Sequence, residues 1–249
     1  MTKILSGAIA ALLVGVMTSA LYAGPVTIKD HYVGGFPTSS RYWGKDVVGD
    51  RKYFDVSKMV VDYNSATGML SVDVSGNYFK HVGKLGTQMG DLFISSDGWN
   101  PNSMHGNYKS DSYYTGGEDW EYALVLDDHL GSSGSLGLYE IDDSNIVLSE
   151  DMVSGEFRKN QEVQVKNLTD SALSLGSWAI NGDVLHMEID TGGAFSGAEE
   201  LGLHWGMTCG NDIIEGGVGV NAVPEPATMS LLGIGALCMY GFGLRRKED

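Results

Sequence analysis

Apolar and polar residues alternate over many short stretches of the chain. Between residues 58 and 76, Leu70, Val72 and Val74 share one face of an extended chain, and polar residues occupy the other face. Side chains alternate between the two faces of a β-strand, so this pattern indicates a strand that is buried on one side. The stretch as a whole predicts a β-hairpin.

The most regular alternation surrounds an Asn-Gly pair. Two alternating runs within residues 177–190 flank Asn181 and Gly182. This is the pair of residues that a type I′ turn favours. The sequence therefore predicts a second hairpin, with a tight type I′ turn.

Other alternating runs predict further strands. One of them should place four residues on a single apolar face: Trp120, Tyr122, Leu124 and Leu126. Four more strands are predicted within residues 135–142, 145–151, 162–168 and 201–208. Seven or more short strands with Gly, Asn and Asp turns are typical of an all-β protein. We expect an antiparallel β-sandwich or jelly-roll-like body that spans residues 24–222 as one extracytoplasmic domain.

The beginning of the chain has the pattern of a secretory signal peptide. Lys3 precedes an apolar run from Ile4 to Met17, and small residues follow. This order predicts a signal peptide at residues 1–23, with cleavage after Ala20 or Ala23. The body is therefore expected to be exported.

The end of the chain predicts a single membrane helix. Residues 227–244 carry no charge and are long enough to cross a bilayer. The basic residues Arg245, Arg246 and Lys247 follow at once and are expected to act as a stop-transfer signal on the cytoplasmic side. This arrangement leaves the body outside the inner membrane.

Just before that helix, Pro224 and Pro226 keep Glu225 in an extended, accessible backbone. Pro-Glu-Pro, a glycine-rich span and an Arg-Arg-Lys cluster together resemble the PEP-CTERM sorting signal of Gram-negative bacteria, at residues 223–249 here. The same kind of tail is also classified as an ice-binding protein C-terminal domain. The resemblance implies recognition by an exosortase, a membrane cysteine transpeptidase, with cleavage near Pro-Glu-Pro.

The resemblance also implies a destination. A membrane-anchored precursor would contact the inner membrane transiently and then be placed at the cell surface or released outside the cell. Such proteins accompany exopolysaccharide and biofilm production. The implied partners are therefore the exosortase and extracellular polysaccharide.

Charge and cysteine content exclude some classes of protein. The net charge of −16 repels phosphate groups and argues against a nucleic-acid partner. Of the two cysteines, Cys238 lies in the predicted membrane helix and only Cys209 lies in the body. The body is therefore expected to fold without an intramolecular disulfide bond.

One long polar segment, residues 97–119, interrupts the strands and is rich in aromatic residues. Aromatic rings among polar groups suit stacking on sugars or contact with a protein. The alternative is that these rings cover one end of the fold. The candidate ligand-binding residues are Trp99, Tyr108, Tyr113, Tyr114 and, just after the segment, Trp120.

Two Glu-Ile-Asp tripeptides, residues 140–142 and 188–190, are similar to part of the catalytic pattern of laminarinase-type hydrolases. Each would place two carboxylates on one face of a strand. Both lack the second Glu of that pattern, so we predict no catalytic residue here. His204 and Cys209 are five residues apart along a predicted strand, which separates a Cys nucleophile from a His base.

Three pairs of adjacent acidic residues could supply oxygen ligands to a structural Ca²⁺ ion: Glu118-Asp119, Asp127-Asp128 and Asp142-Asp143. No Asp-x-Asp-x-Asp-Gly loop accompanies them. Solvated surface charge is therefore the favoured interpretation, and neither a metal site nor a cofactor is predicted.

These observations favour a non-enzymatic surface or matrix protein associated with exopolysaccharide. Two alternatives stay open. One is a lectin-like carbohydrate-binding module that uses the aromatic residues of 97–119, and the other is a secreted glycosidase.

Overall fold

The computed structural model describes residues 24–116 and 118–220. The predicted signal peptide at 1–23 and the predicted sorting signal at 223–249, with its membrane helix, lie outside the described residues. Within the described ranges, no helix is both long and apolar enough to cross a membrane.

The described residues are mostly β-structure, which confirms the predicted all-β class. The strands are β1 (Val26–Lys29), β2 (Val56–Asn64), β3 (Met69–Gly76), β4 (Leu92–Ser95), β5 (Tyr122–Leu126), β6 (Ser133–Glu140), β7 (Ile146–Leu148), β8 (Glu162–Val165), β9 (Ser174–Asn181), β10 (Val184–Asp190), β11 (Glu200–Gly206) and β12 (Ile213–Gly219). The two α-helices are single turns, α1 (Arg51–Phe54) and α2 (Ser149–Met152).

Ten of these strands form one antiparallel sheet in the order β1-β2-β3-β10-β9-β6-β5-β4-β11-β12. The sheet curls until its last strand, β12, packs against β1 and β2, so that it is nearly closed as a barrel. The remaining two strands, β7 and β8, form a small separate sheet. The expected two-layer sandwich or jelly roll is therefore corrected to one curled sheet with a covering layer on part of its outside.

The two edges of the sheet meet through side chains, at a boundary that we call the seam. Gly216 of β12 has no side chain, and a Cβ there would lie 2.8 Å from the side chain of Ile28 in β1. Just before β12, the side chain of Asp212 accepts the backbone N–H of Val56 at the start of β2, across 2.6 Å. A glycine at the contact and a carboxylate bridge thus bring the edges together without a strand ladder.

Inward-facing apolar residues from the ten strands fill the interior. Leu70, Val72 and Val74 are all completely buried, as their alternation predicts. Two large rings, Trp178 of β9 and Trp205 of β11, pack into the same core. These packed side chains support the curled sheet from inside.

Both predicted hairpins are present, β2–β3 and β9–β10. The second turn differs from the prediction by one residue. Asn181 pairs with Val184, so the turn residues are Gly182 and Asp183. Gly182 has a φ of 70° and Asp183 is not in the left-handed region, which fits a type II′ turn and not type I′.

The predicted apolar face of β5 is correct for Leu124 and Leu126, which lie in the interior. It is wrong for Trp120, which packs on the outer face of the sheet beside Phe93 and Ala123. The strand begins only at Tyr122, so the alternation of an extended chain does not reach back to Trp120. Its ring belongs to a second, smaller core between the outer face of the sheet and the β7–β8 pair.

Candidate functional site

A cavity of about 240 Å³ opens at the seam. Its lining comes from residues 27–29 of β1, His31, Tyr32, Trp99, Tyr108 and residues 215–217 of β12. We call this cavity the seam cleft. Its volume is below the roughly 300–1,000 Å³ of sites for drug-sized ligands, so it suits part of a ligand, such as one unit of a longer chain.

Glycine residues on the outer face of the sheet decide where Trp99 lies. Gly202 of β11 pairs with Gly217 of β12. A Cβ at Gly202 would lie 2.6 Å from the backbone oxygen of Gly98, and one at Gly217 would lie 3.1 Å from Cβ of Trp99. The two glycines therefore form a flat surface on which the backbone of 98–99 rests directly, and this contact brings the Trp99 ring to the seam.

Three aromatic rings form one wall of the seam cleft. The ring of Tyr108 makes an edge contact with Trp99, with centroids 5.0 Å apart, and stacks on Tyr32 at 5.9 Å. The backbone N–H of Val33 donates to the carbonyl of Asn107, so the chain segments that carry Tyr32 and Tyr108 are tied together beside their rings. Sequence reasoning marked Trp99 and Tyr108, and the structure brings both into one site.

Glu215 lies at the floor of the seam cleft and fixes the Trp99 ring. The indole N–H of Trp99 donates to Oε1 of Glu215 across 2.8 Å, and Oε2 lies 2.5 Å from Nδ1 of His204. Nε2 of His204 donates to the backbone carbonyl of Glu162 across 2.9 Å, since a carbonyl can only accept. Since the Nε2 proton points to Glu162, the contact between Nδ1 and Oε2 is a hydrogen bond that needs one further proton, carried by either atom. Burial raises the pKa of Glu215 well above its usual value, which agrees with a proton on this pair.

Two more carboxyl groups lie behind the floor of the seam cleft. One oxygen from each of Asp111, Glu118 and Glu215 lies within 4.8 Å of the others. Burial, followed by the nearby Glu215, raises the pKa of Asp111 to about 7. Within the described residues, Glu118 is the one member of the three predicted acidic pairs that joins such a group. These carboxyl groups are candidates for holding a cation.

A second group of carboxyls lies at the closure of the sheet and consists of Asp30, Asp46 and Asp212. Burial, followed by the charge of Asp46, raises the pKa of Asp30 to about 8. Two cations offset the negative charge: the buried Arg158 and the exposed Arg51, whose guanidinium lies 3.0 Å from Asp46. Because Asp212 also accepts the Val56 N–H, this group links the two edges of the sheet.

The other predicted ring residues lie away from the seam cleft. Tyr113 and Tyr114 contact each other edge to face at 4.9 Å, and Tyr114 is 68% exposed. Trp120 is buried and donates its indole N–H to Glu162 across 3.3 Å. The predicted rings thus divide into two at the cleft, the half-buried Tyr113 with its exposed neighbour Tyr114, and Trp120 in the outer core.

Neither Glu-Ile-Asp tripeptide contributes to the seam cleft. In the second tripeptide, Glu188 and Asp190 lie exposed on β10. In the first, Asp142 caps the short helical turn formed by residues 143–145. The thiol of Cys209 is buried, and burial raises its pKa to about 12, so it stays protonated at neutral pH. Both ring nitrogens of His204 make hydrogen bonds, to Glu215 and to the backbone carbonyl of Glu162, and neither bonds to Cys209.

Sequence reasoning missed His31, Tyr32 and Glu215. The one signal in the sequence is that Glu215 is the single charged residue in the apolar and glycine-rich run of β12. Such a residue in the middle of a strand is a candidate for a buried polar contact. Tyr32 carries no such signal, because its role comes only from where the chain folds.

The architecture defines an antiparallel β-protein with one nearly closed sheet and an aromatic cleft at its seam. At the end of the chain, residues 222–247 match the model of the PEP-CTERM protein-sorting motif. This motif implies an exported protein that is processed by an exosortase. The chain matches no curated protein and no solved structure.

Proposed function

We propose that this protein is an exported, exosortase-processed surface or extracellular-matrix protein that binds extracellular polysaccharide in the seam cleft without catalysing its hydrolysis. One observation carries the proposal. Tyr32, Trp99 and Tyr108 form an aromatic wall in a cavity that suits one unit of a longer chain. Flat aromatic faces stack on the C–H faces of sugars, and they do so at a low cost in side-chain entropy.

The sorting motif supports this ligand class. The resemblance to PEP-CTERM proteins implies that exopolysaccharide production accompanies the export of this protein. The fixed position of Trp99 is a second support. Its hydrogen bond to the buried Glu215 holds the ring in place before a ligand arrives. A site that is arranged in advance loses less entropy on binding.

Glycoside hydrolysis is the second candidate, because two carboxyl groups lie close together at a cleft of sugar size. Glu215 lines the cleft, and Asp111, whose pKa burial raises to about 7, lies behind it. Hydrolysis by two carboxyl groups needs one that stays ionised while the other carries a proton. Among the described residues that line the cleft, Glu215 is the one carboxyl group, and Asp111 lies behind it. This environment favours binding over hydrolysis.

The test measures retention of the exported protein, purified from an exosortase-positive host, on polysaccharide from the same host. Trp99→Ala should reduce the affinity at least tenfold. Tyr108→Gly should weaken binding while it leaves the Trp99–Glu215 bond intact, since glycine adopts the positive φ of 56° without strain. The matched control is Tyr114→Ala, which removes an exposed ring of the same segment outside the cleft.

Full retention by both Trp99→Ala and Tyr108→Gly would overturn the proposed binding site. A separate assay tests the proposal that the protein does not hydrolyse its ligand: it measures the release of reducing ends from the polysaccharide. No release is expected. Release that Glu215→Gln abolishes would show that the cleft is a glycosidase site.

A further inference from the structure

The seam cleft combines aromatic walls with an acidic floor, and this combination narrows the class of ligand. Glu215 lines the cleft, and Asp111 and Glu118 each bring a carboxyl oxygen within 4.8 Å of it. Asp111 is buried and Glu118 is half-buried. Once such carboxyl groups are ionised, their charge is screened less by water than a charge at the surface, so they influence a bound cationic group more strongly.

The basic groups that line the seam cleft are Lys29 and His31, and both are exposed. An exposed ammonium on a flexible stem stays hydrated and is screened by salt. Near the floor, three carboxyl groups, Asp111, Glu118 and Glu215, lie with one imidazole, His204, so acidic groups are in excess there. An anionic sugar would meet these carboxyls, whereas a cationic group would be attracted to them.

The aromatic wall favours the same sign of charge. Ring faces carry negative electrostatic potential and attract ammonium groups that lie within about 6 Å of the ring centre. Tyr32, Tyr108 and Trp99 contribute three rings around one cavity, and the acidic floor is bonded to one of them through the indole N–H.

We propose that the seam cleft selects a sugar unit with a free ammonium group, an amino sugar that is not N-acetylated, over neutral sugars and uronic acids. The inference rests on the proposed function and names the ligand class of the same site. The rings would contact the apolar face of the sugar, and the ammonium would lie toward Glu215, Asp111 and Glu118. Burial favours the protonated forms of Asp111 and Glu215 in the free site, and a bound ammonium would favour the ionised forms and supply the opposite charge.

The cavity suits one sugar unit, so the test uses methyl glycosides and does not depend on a glycosidic linkage. Four probes are used: methyl glucoside and three derivatives that each differ from it at one position, which are methyl glucosaminide, its N-acetylated form and methyl glucuronide. Binding to the exported protein is measured by titration with detection of tryptophan fluorescence. Methyl glucosaminide should bind at least tenfold more tightly than methyl glucoside, and the other two probes should bind more weakly still.

Asp111→Asn and Glu118→Gln should each reduce the affinity for the glucosaminide and leave that for the glucoside within twofold. The control is Glu188→Gln, which removes one negative charge from exposed β10, outside the cleft. It should leave the preference unchanged. Glu118 is half-buried, so its variant keeps the test valid if Asp111→Asn folds poorly.

Equal affinity for the glucosaminide and the glucoside, or a preference that survives both substitutions, would overturn the inference. If host polysaccharide is retained but the glucosaminide is not preferred, the inference fails and the proposed function stands. If neither polysaccharide nor any methyl glycoside binds, both fail.

Discussion

Trp99 donates its indole N–H to Glu215 across 2.8 Å, although 116 residues separate them along the chain. Glu215 lies on β12, and Trp99 lies in the polar segment that covers the outer face of the sheet. The bond places an aromatic ring at the seam. It also satisfies the single N–H donor of the indole. A buried carboxyl and a half-buried ring thus determine each other's position.

Gly202 provides a test of how Trp99 is positioned. In Gly202→Val, the new Cβ would lie 2.6 Å from the backbone oxygen of Gly98. Backbone must therefore shift, at a cost of about 1–3 kcal/mol. We expect a lower melting temperature and weaker retention on polysaccharide.

The control for this substitution is Gly219→Ala on the neighbouring strand, where a Cβ would meet its nearest atom only at 3.9 Å. It should change neither property. A Gly202→Val protein with full stability and full binding would show that the glycine surface does not position Trp99.

The stability of the protein should fall as the pH rises from 5 to 8. Burial raises the pKa of Asp111 and Glu162 to about 7 and that of Asp30 to about 8. In the unfolded chain these groups are already ionised at pH 5, so the folded state binds more protons across this window and loses stability as they leave. We expect the melting temperature to be at least about 5 °C lower at pH 8 than at pH 5.

Asp30→Asn should reduce this pH dependence, because the amide does not titrate. Asp190→Asn, on the exposed end of β10, is the matched control and should leave the slope unchanged. A melting temperature that rises steadily from pH 5 to pH 8 would contradict the assignment of raised pKa values to these carboxyls.

Cys209 should not react with thiol reagents in the folded protein. Its side chain is buried in the interior core, and burial raises its pKa to about 12, so both access and ionisation are unfavourable. Native protein treated with iodoacetamide at pH 8 should show no label at Cys209 by peptide mapping, and denatured protein should show complete labelling. Rapid native labelling would mean that the thiol is accessible.

The sorting motif predicts the end of the mature chain. We expect intact-mass analysis of protein from an exosortase-positive cell to place that end between Pro224 and Ala227, with the predicted membrane helix removed. In a host without an exosortase, the same protein should keep its full tail. Detection of Cys238 in the mature product of the exosortase-positive cell would refute the prediction.

Local patterns in the sequence predicted local structure well. Alternation over residues 58–76 and 177–190 is enough to identify both hairpins, because neighbouring strands and their turn lie in one short segment. The turn type was wrong, because the pairing of Asn181 with Val184 moves the loop by one residue. Register depends on the whole sheet and not on the turn pair alone.

The overall shape could not be predicted, because it depends on contacts between distant residues. Closure brings Ile28 of β1 against Gly216 of β12, and no local pattern connects these two positions. The same reason explains why the ring residues of 97–119 could be identified as candidates while their partners could not. Tyr32 and Glu215 join Trp99 and Tyr108 only after the sheet has curled.

The most direct test of polysaccharide binding in the seam cleft uses NMR. The indole N–H signals of the five tryptophans are observed during titration with fragments of host polysaccharide. The Trp99 signal is assigned with Trp99→Phe, and the exposed Trp43, which stacks on Phe36 outside the seam cleft, serves as the internal reference. We expect a saturable shift of the Trp99 signal and no shift of the Trp43 signal. A saturable shift at Trp43 with Trp99 unchanged would contradict binding in the seam cleft.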